Sequence, residues 1–168
     1  MGSKDSPRVS ESPPVCVIVL NYNGRRHLAY CLPAIQRTDY QPLDILMVDN
    51  ASTDDSVPYV RDAFPTIHVL ACETNRGWSG GNNLGIEWAR RRGARYVVLA
   101  NNDIRPDPRW VRCAVDLAES DPTIAIAGFR ILEPSGQSQV DDSGFDEAVA
   151  GWPGLQAHEA RVVDGMAM

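Results

Sequence analysis

In the stretch VVLANNDIRPDP, an apolar run ends in Asn101, Asn102 and Asp103 before Pro106 and Pro108. Amides and a carboxylate at the end of a buried strand are costly to desolvate unless something pairs with them. Asp103 with an amide oxygen of Asn101 makes a thin set of hard oxygen donors. Such a set suits Mg²⁺ or Mn²⁺ shared with ligand phosphates better than an all-protein cage. A plain turn is the other reading of these residues taken alone.

Other apolar runs also end in polar residues. Asn21-Tyr22-Asn23-Gly24 follows VCVIVL, Asp49-Asn50-Ala51-Ser52 follows ILMV, and Asn75-Arg76-Gly77 comes after IHVLA. The first reads equally as a turn, because Asn and Gly tolerate the left-handed region. Ser52 or Thr53 reads as a helix N-cap, which leaves Asp49 free at its strand end. In NRGWSGGNNLG, residues 75–85, the glycines allow close backbone approach to a ligand, and the helix N-terminus that follows favours anions. No G-x-G-x-x-G stands in it. A glycine loop for tight helix packing is its other reading.

The elements that must position these groups follow from periodicity. Apolar runs cover 15–20, 44–49, 67–71, 96–101 and 124–132. VCVIVL and YVVLA are nearly continuous and valine-rich, as in parallel strands covered on both faces. Leu28, Leu32 and Ile35 recur at helical spacing around Pro33. Val57, Val60 and Phe64 mark a second helix. Leu84, Trp88 and Ala89 mark a third, stopped by Gly93. Pro106 and Pro108 open a fourth that carries Val111, Ala114, Val115 and Ala118 inward. Alternating strands and helices predict an α/β domain with a mostly parallel sheet. In such sheets ligands bind beyond the carboxyl ends of the strands, so the polar segments converge on one edge.

Composition removes several classes. The chain has 168 residues, 43% of them hydrophobic, and a net charge of −6. It offers no basic excess for a nucleic-acid partner. Its dense basic cluster, Arg90-Arg91-Arg92, reads as the solvated last turn of a helix. Lys4 is the only lysine, so neither a P-loop nor a Schiff-base site can be built. The four cysteines show no CxxC spacing and no histidine at metal-ligand distance; Cys16 reads as a buried thiol. No apolar run approaches the roughly 20 residues of a membrane span. The opening MGSKDSPRVSESPP lacks a signal-peptide core and reads as a disordered leader. The expected location is cytoplasmic, with peripheral contact at the inner membrane face as its variant. Residues 15–132 read as the folded domain, and 133–168 as a long loop followed by the start of another half.

Together VCVIVLNYNG, ILMVDNASTDDS, NRGWSGGNNLGI and VVLANNDIRPDP resemble the family 2 glycosyltransferases of the GT-A fold, in particular their rhamnosyltransferase-like branch. The likeness runs over residues 15–130, and its four-part combination is more specific than any single piece. It implies an inverting transfer of a hexose from a nucleotide-diphosphate sugar to a hydroxyl of a glycan or lipid-linked acceptor. The donor would be dTDP-, UDP- or GDP-linked, with rhamnose on a thymidine nucleotide the expectation for this branch. By the resemblance, Asn21, Tyr22 and Asn23 border the base and ribose, Asp49 hydrogen-bonds the base, and Ser52 shapes its turn. Asn75, Gly77, Gly81 and Asn83 line the loop beside the nucleotide, with Asn102 close by. Asn101 and Asp103 take the outer positions of the family's D-x-D metal motif. Asn101 stands where the motif has Asp, which removes one negative charge and weakens metal binding without nucleotide.

The resemblance assigns no catalytic base. The family's acidic E-D-x-D-like segment is not matched by Asp141, Asp142, Asp146, Glu147 or Asp164. Val162 to Met168 resembles the start of the strand that leads to it, so the expectation is a truncated, donor-binding half whose uncovered face favours self-association. The alternatives are a protein that binds a sugar nucleotide without turnover, a nucleotidyltransferase and a receiver-like signalling domain. The last two usually want a lysine that this domain lacks.

Overall fold

The computed structural model describes residues 12–129. The apolar run after Pro14 becomes β1 (Val15–Asn21), buried at every position except the half-buried Leu20. It is central because it pairs in parallel with both β2 (Leu43–Asp49) and β4 (Tyr96–Asn101). A shorter β3 (His68–Ala71) adds to β2, giving a four-stranded parallel sheet in the order β3-β2-β1-β4. The register aligns the carboxyl ends: Asn21 stands opposite Asp49, Asp49 opposite Ala71, and Leu20 opposite Asn101.

Helices α1 (Arg25–Gln36), α2 (Ser56–Ala63), α3 (Gly77–Arg91) and α4 (Trp110–Ser120) alternate with the strands. Alternate residues of each strand face opposite sides. Val15, Val17, Val19, Met47, Val98 and Ala100 meet Leu28, Leu32, Val60, Trp110 and Val111 on the face covered by α1, α2 and α4. Cys16, Ile18, Leu46 and Val48 meet α3 at Ala89 on the other face. Helix α1 runs through Pro33 without stopping. The carbonyl this proline leaves without an N–H is that of Ala29, an exposed residue, so the lost bond is cheap.

Four expectations need correction. Of the run 124–132, residues 124–129 join no sheet, and 130–132 lie outside the described residues. Strand β4 is fully covered on one face only: Val98 and Ala100 are buried, whereas on the other face Val97 is half-buried against the α3-side core and Leu99 is 39% exposed. Residues 75–85 are not mainly a loop, since α3 begins at Gly77. Ser52 and Thr53 do not cap α2, whose N-cap is Asp55. Asp141, Asp142, Asp146, Glu147, Asp164 and the segment 162–168 lie outside the described residues. Among the described residues no helix is long and apolar enough to cross a membrane.

Arg90 and Arg91 close α3 beside Glu87, and Arg92 reaches Asp44 at 3.0 Å while lying over the Trp88 ring. The cysteines are all unbridged. Burial pushes the thiols of Cys16 and Cys31 up to about 12. A reagent must reach the sulfur as well as find its thiolate, so although burial raises the Cys72 thiol too, an alkylating reagent at neutral pH is expected to modify the half-buried Cys72 and Cys113 and to spare the buried Cys16 and Cys31. Peptide mass spectrometry after brief labelling checks this. Equal labelling of Cys16 and Cys72 would show that the sheet opens readily.

Candidate functional site

Three strand ends meet at Asn21. Its side chain is fully enclosed, at 0% exposure. Its amide nitrogen donates to Asp49 Oδ1 (2.9 Å) and Ser52 Oγ (3.2 Å), and its oxygen accepts from Asn102 Nδ2 (2.7 Å). One side chain thus ties β1 to β2 and to the residue after β4. Gly24 makes room for this junction, because a Cβ there would stand 2.0 Å from Asn102 Nδ2 and 2.5 Å from Asn21 Oδ1.

Asp49 is not free at its strand end, contrary to the expectation from the sequence. It is 2% exposed. Its Oδ1 accepts from Asn21 and from Ser52 Oγ (2.6 Å), and its Oδ2 accepts from Ser52 N–H (2.9 Å). Three of roughly four acceptor positions on the carboxylate are therefore used. The Ser52 hydroxyl, expected at a helix cap, also accepts from Asn23 N–H at 2.9 Å. Asn23 and Ala51 hold left-handed backbone at φ 51° and φ 65°. Asn tolerates that region and Ala does not, so Ala51 stores strain in this turn. Asn23 Oδ1 in turn accepts from Thr53 N–H at 2.8 Å.

Asn50 was not singled out from the sequence, and it organises the other side of the site. It is buried, donates to Asn75 Oδ1 (2.9 Å) and Gly77 O (3.0 Å), and accepts from Arg76 N–H (2.8 Å). The start of α3 is thereby fastened to the end of β2. The signal available was a third amide at a strand end, beside Asp49. Asp54 was missed too; it accepts the N–H of Arg25 (3.1 Å) and of Ser56 (3.0 Å). Burial raises the Asp54 carboxyl, but hydrogen bonds from Ser56 and Arg25 and the Arg25 charge outweigh it, so the group sits below its ordinary value.

The candidate residues separate by exposure. Asn21 and Asp49 are enclosed, while Tyr22, Asn23, Asn75, Gly77, Asn83, Asn101 and Asp103 are exposed and Ser52 and Asn102 half-buried. Gly81 is buried against the sheet, where a Cβ would stand 2.4 Å from Leu20 Cδ1. It serves close helix packing, and so does Gly85 over Ile18 and Val48. Tyr22, 52% exposed, and Trp78, 59% exposed, offer uncovered aromatic faces beside the strand ends.

Asp103 differs from Asp49 in having no hydrogen bond or ion pair among the described residues. Tyr30 lies within its field, under the Arg105 guanidinium 4.6 Å from the Tyr30 ring. No group of three or more His, Cys, Asp and Glu among the described residues could hold a metal by itself. Asn101 and Asp103 therefore fit a divalent ion only if a ligand supplies most of the oxygens. A shallow open depression at the opposite, amino edge of the sheet, lined by Pro14, Gln41, Pro42 and Arg95, carries no comparable set.

The sequence profile described as glycosyl transferase family 2 matches residues 16–147. An N-acetylglucosaminyl-diphospho-decaprenol L-rhamnosyltransferase of Mycobacterium tuberculosis is 26% identical over 128 residues, covering 71% of this chain and 42% of its own length. Galactofuranosyltransferase GlfT1 of Mycolicibacterium smegmatis is 34% identical over 96 residues, 55% of this chain and 30% of its own. The chain thus spans less than half the length of these relatives. Among solved structures, S. aureus TarS 1–349 in complex with UDP-GlcNAc superposes with a TM-score of 0.62 at 19% identity, over 76% of this chain and 37% of that one. Mannosyltransferase PcManGT from Pyrobaculum calidifontis, in complex with GDP-Man and Mn²⁺, does so with a TM-score of 0.58 at 26% identity, over 73% and 36%. These likenesses bear out the α/β, GT-A expectation.

Proposed function

The chain belongs to glycosyl transferase family 2, and from that premise we propose that it binds a nucleotide-diphosphate sugar at the carboxyl edge of its sheet for inverting transfer to a hydroxyl acceptor. The observation that carries the reading is the contrast between two carboxylates on one edge. Asp49 is enclosed and its oxygens are largely committed; Asp103 is exposed and has no hydrogen-bond or ion-pair partner among the described residues. An edge built this rigidly beside an unpartnered acid is suited to a ligand that brings its own charge and its own cation.

In this reading Asn101 and Asp103 would hold a Mg²⁺ or Mn²⁺ ion together with diphosphate oxygens. Such an ion offsets the charge that develops on a leaving diphosphate. Tyr22 offers its exposed ring to the base, and Asn23 and Asn75 border the nucleotide. Asn21, Asp49 and Ser52 act one step removed, holding Tyr22 and Asn23 in place, and Asn50 does the same for Asn75 and Gly77. Asn83 and Asn102 flank the bound nucleotide, and Gly81 lets α3 come close enough to do so. The names of the relatives support a glycan or lipid-linked acceptor, and the nucleotide sugars bound by TarS and PcManGT support the donor class.

The test is thermal unfolding of the chain with UDP, dTDP, GDP and ADP, each with and without Mn²⁺. A ligand at 100 times its dissociation constant stabilises by about 2.7 kcal/mol. At least one nucleotide is expected to raise the midpoint, and only with metal. Asp103→Ala is expected to weaken that binding by about tenfold or more, or at least about 1.4 kcal/mol. No shift in the parent chain with any nucleotide would overturn the donor site. An unchanged shift in Asp103→Ala would overturn the metal assignment.

A further inference from the structure

Arg25 and Arg105 are the half-buried arginines among the described residues. Arg25 faces the Asp55 carboxylate at 3.6 Å. Arg105 has no hydrogen bond or ion pair among the described residues, and its guanidinium lies over the Tyr30 ring, 4.6 Å from the centroid. Asp103 stands two residues before it in the chain, yet the two do not pair. A charge half withdrawn from water without a counter-charge is costly, and an aromatic face offsets only part of that cost.

A second guanidinium joins the same place. Arg26 and Tyr30 lie one turn apart on one side of α1. Arg26 Nε donates to His27 Nε2 at 3.0 Å, which leaves the ring hydrogen on Nδ1. That nitrogen lies 2.7 Å from Tyr30 Oη and donates to it. The Tyr30 oxygen is thus an acceptor in this bond, and its own O–H is left over. Burial pushes the Tyr30 hydroxyl above its ordinary value; Asp103 adds to the rise, and Arg105 and Arg26 oppose it. At neutral pH the hydroxyl therefore keeps its hydrogen. Like Arg105, Arg26 has no carboxylate partner among the described residues. Cys31, the next residue of α1, has its thiol 3.7 Å from the Asn101 carbonyl, so this side of the helix rests against the end of β4, just before Asp103.

We propose that Arg26, Tyr30 and Arg105 form an anion site that takes a phosphate or diphosphate group of the acceptor substrate. Two guanidinium groups without carboxylates and a free hydroxyl hydrogen match the oxygens of a phosphate. The donor is the poorer occupant, because its diphosphate is read above as neutralised by a cation on Asn101 and Asp103. An acceptor must bring its hydroxyl to the anomeric carbon, next to that diphosphate. One joined to a lipid through phosphate would be anchored here, on the α1 side of Asp103. The assignment to the acceptor rests on the donor-site reading; the anion site itself does not.

The experiment titrates pyrophosphate into the full chain by calorimetry with EDTA present, so that a metal-dependent donor site is silent. The parent is expected to bind with a dissociation constant of about 1 mM or tighter. Arg105→Gln and Arg26→Gln are each expected to weaken binding about tenfold. Tyr30→Phe keeps the ring under Arg105 and is expected to weaken it about fivefold. All three should retain the nucleotide-dependent rise in melting temperature with Mn²⁺. Asp103→Ala should do the reverse, losing that rise and binding pyrophosphate at least as well as the parent. Farnesyl diphosphate should displace pyrophosphate, and phosphatidylglycerol vesicles at equal phosphate should not. No metal-free binding in the parent, or dissociation constants within about twofold of it in both arginine variants, overturns the anion site. Arginine variants that lose the Mn²⁺-dependent nucleotide shift give these residues to the donor and overturn the acceptor assignment. Vesicles that compete as well as farnesyl diphosphate overturn it too, because the patch then reads any anionic surface. Pyrophosphate binding in a parent that binds no nucleotide overturns the donor-site reading and the acceptor assignment, and leaves the anion site standing.

Discussion

Asn21→Ala is expected to lower the unfolding free energy by about 2–4 kcal/mol, measured by urea denaturation at neutral pH. The residue makes no contribution that a turn asparagine would normally make. Its amide is spent on Asp49, Ser52 and Asn102, and nothing of it reaches solvent. Truncation removes a donor from a carboxylate that is 2% exposed and an acceptor from the Asn102 amide. Each group left without its partner costs about 1–3 kcal/mol, more when it is charged. Asn21→Asp separates geometry from charge. It has the same shape but sets a second carboxylate where Asn21 lay 2.9 Å from Asp49 Oδ1. At neutral pH it is expected to be less stable than the alanine variant, and to regain stability as the pH is lowered and the repulsion is relieved. If Asn21→Ala stays within about 1 kcal/mol of the parent, the junction does not hold the strand ends together.

The junction also explains which parts of the site could be read from the sequence. Polar residues after apolar runs marked the carboxyl edge correctly, because strands buried on both faces leave few other places for amides. Which of those residues would face a ligand was not legible. Asp49 and Asp103 follow similar apolar runs, and only their partners distinguish them: Asn21 and Ser52 meet Asp49, and no described residue bonds Asp103. Ser52 illustrates the same limit. A serine after a strand and before a helix suits a cap, but here its hydroxyl is drawn to Asp49 at 2.6 Å, and α2 starts later, at Ser56.

The start of α3 was hidden for a different reason. Each glycine in a helix costs about 1 kcal/mol relative to alanine, so WSGGNN reads locally as a loop. Contacts distant in the chain offset that cost: the helix lies on β1 and β2 at Gly81 and Gly85, and Asn50 holds its first turn. Once α3 is extended back to Gly77, Asn82 falls on the inward stripe with Gly81, Gly85 and Ala89. Residues 124–129 failed in the opposite sense, since apolar content alone does not supply a neighbouring strand.

Gly85→Val is expected to destabilise the chain by about 3 kcal/mol or more, against about 1 kcal/mol or less for Gly81→Ala. Both changes improve intrinsic helix propensity, so propensity alone predicts stabilisation in each case. Packing decides otherwise. A Cβ at Gly81 meets Leu20 Cδ1, the far end of a half-buried side chain that can turn aside. A Cβ at Gly85 meets Ile18 Cγ2 at 2.7 Å and Val48 Cγ2 at 3.2 Å. Those are β-branched residues, fully buried on the two inner strands, with little rotamer freedom to yield. The two further methyls of valine then have no room unless α3 lifts from the sheet. Lifting α3 moves Gly77 and Asn75 away from Asn50, so the nucleotide-dependent rise in melting temperature should shrink in Gly85→Val and persist in Gly81→Ala. A Gly85→Val chain that melts with the parent would mean that α3 rides higher on β1 and β2 than these contacts imply.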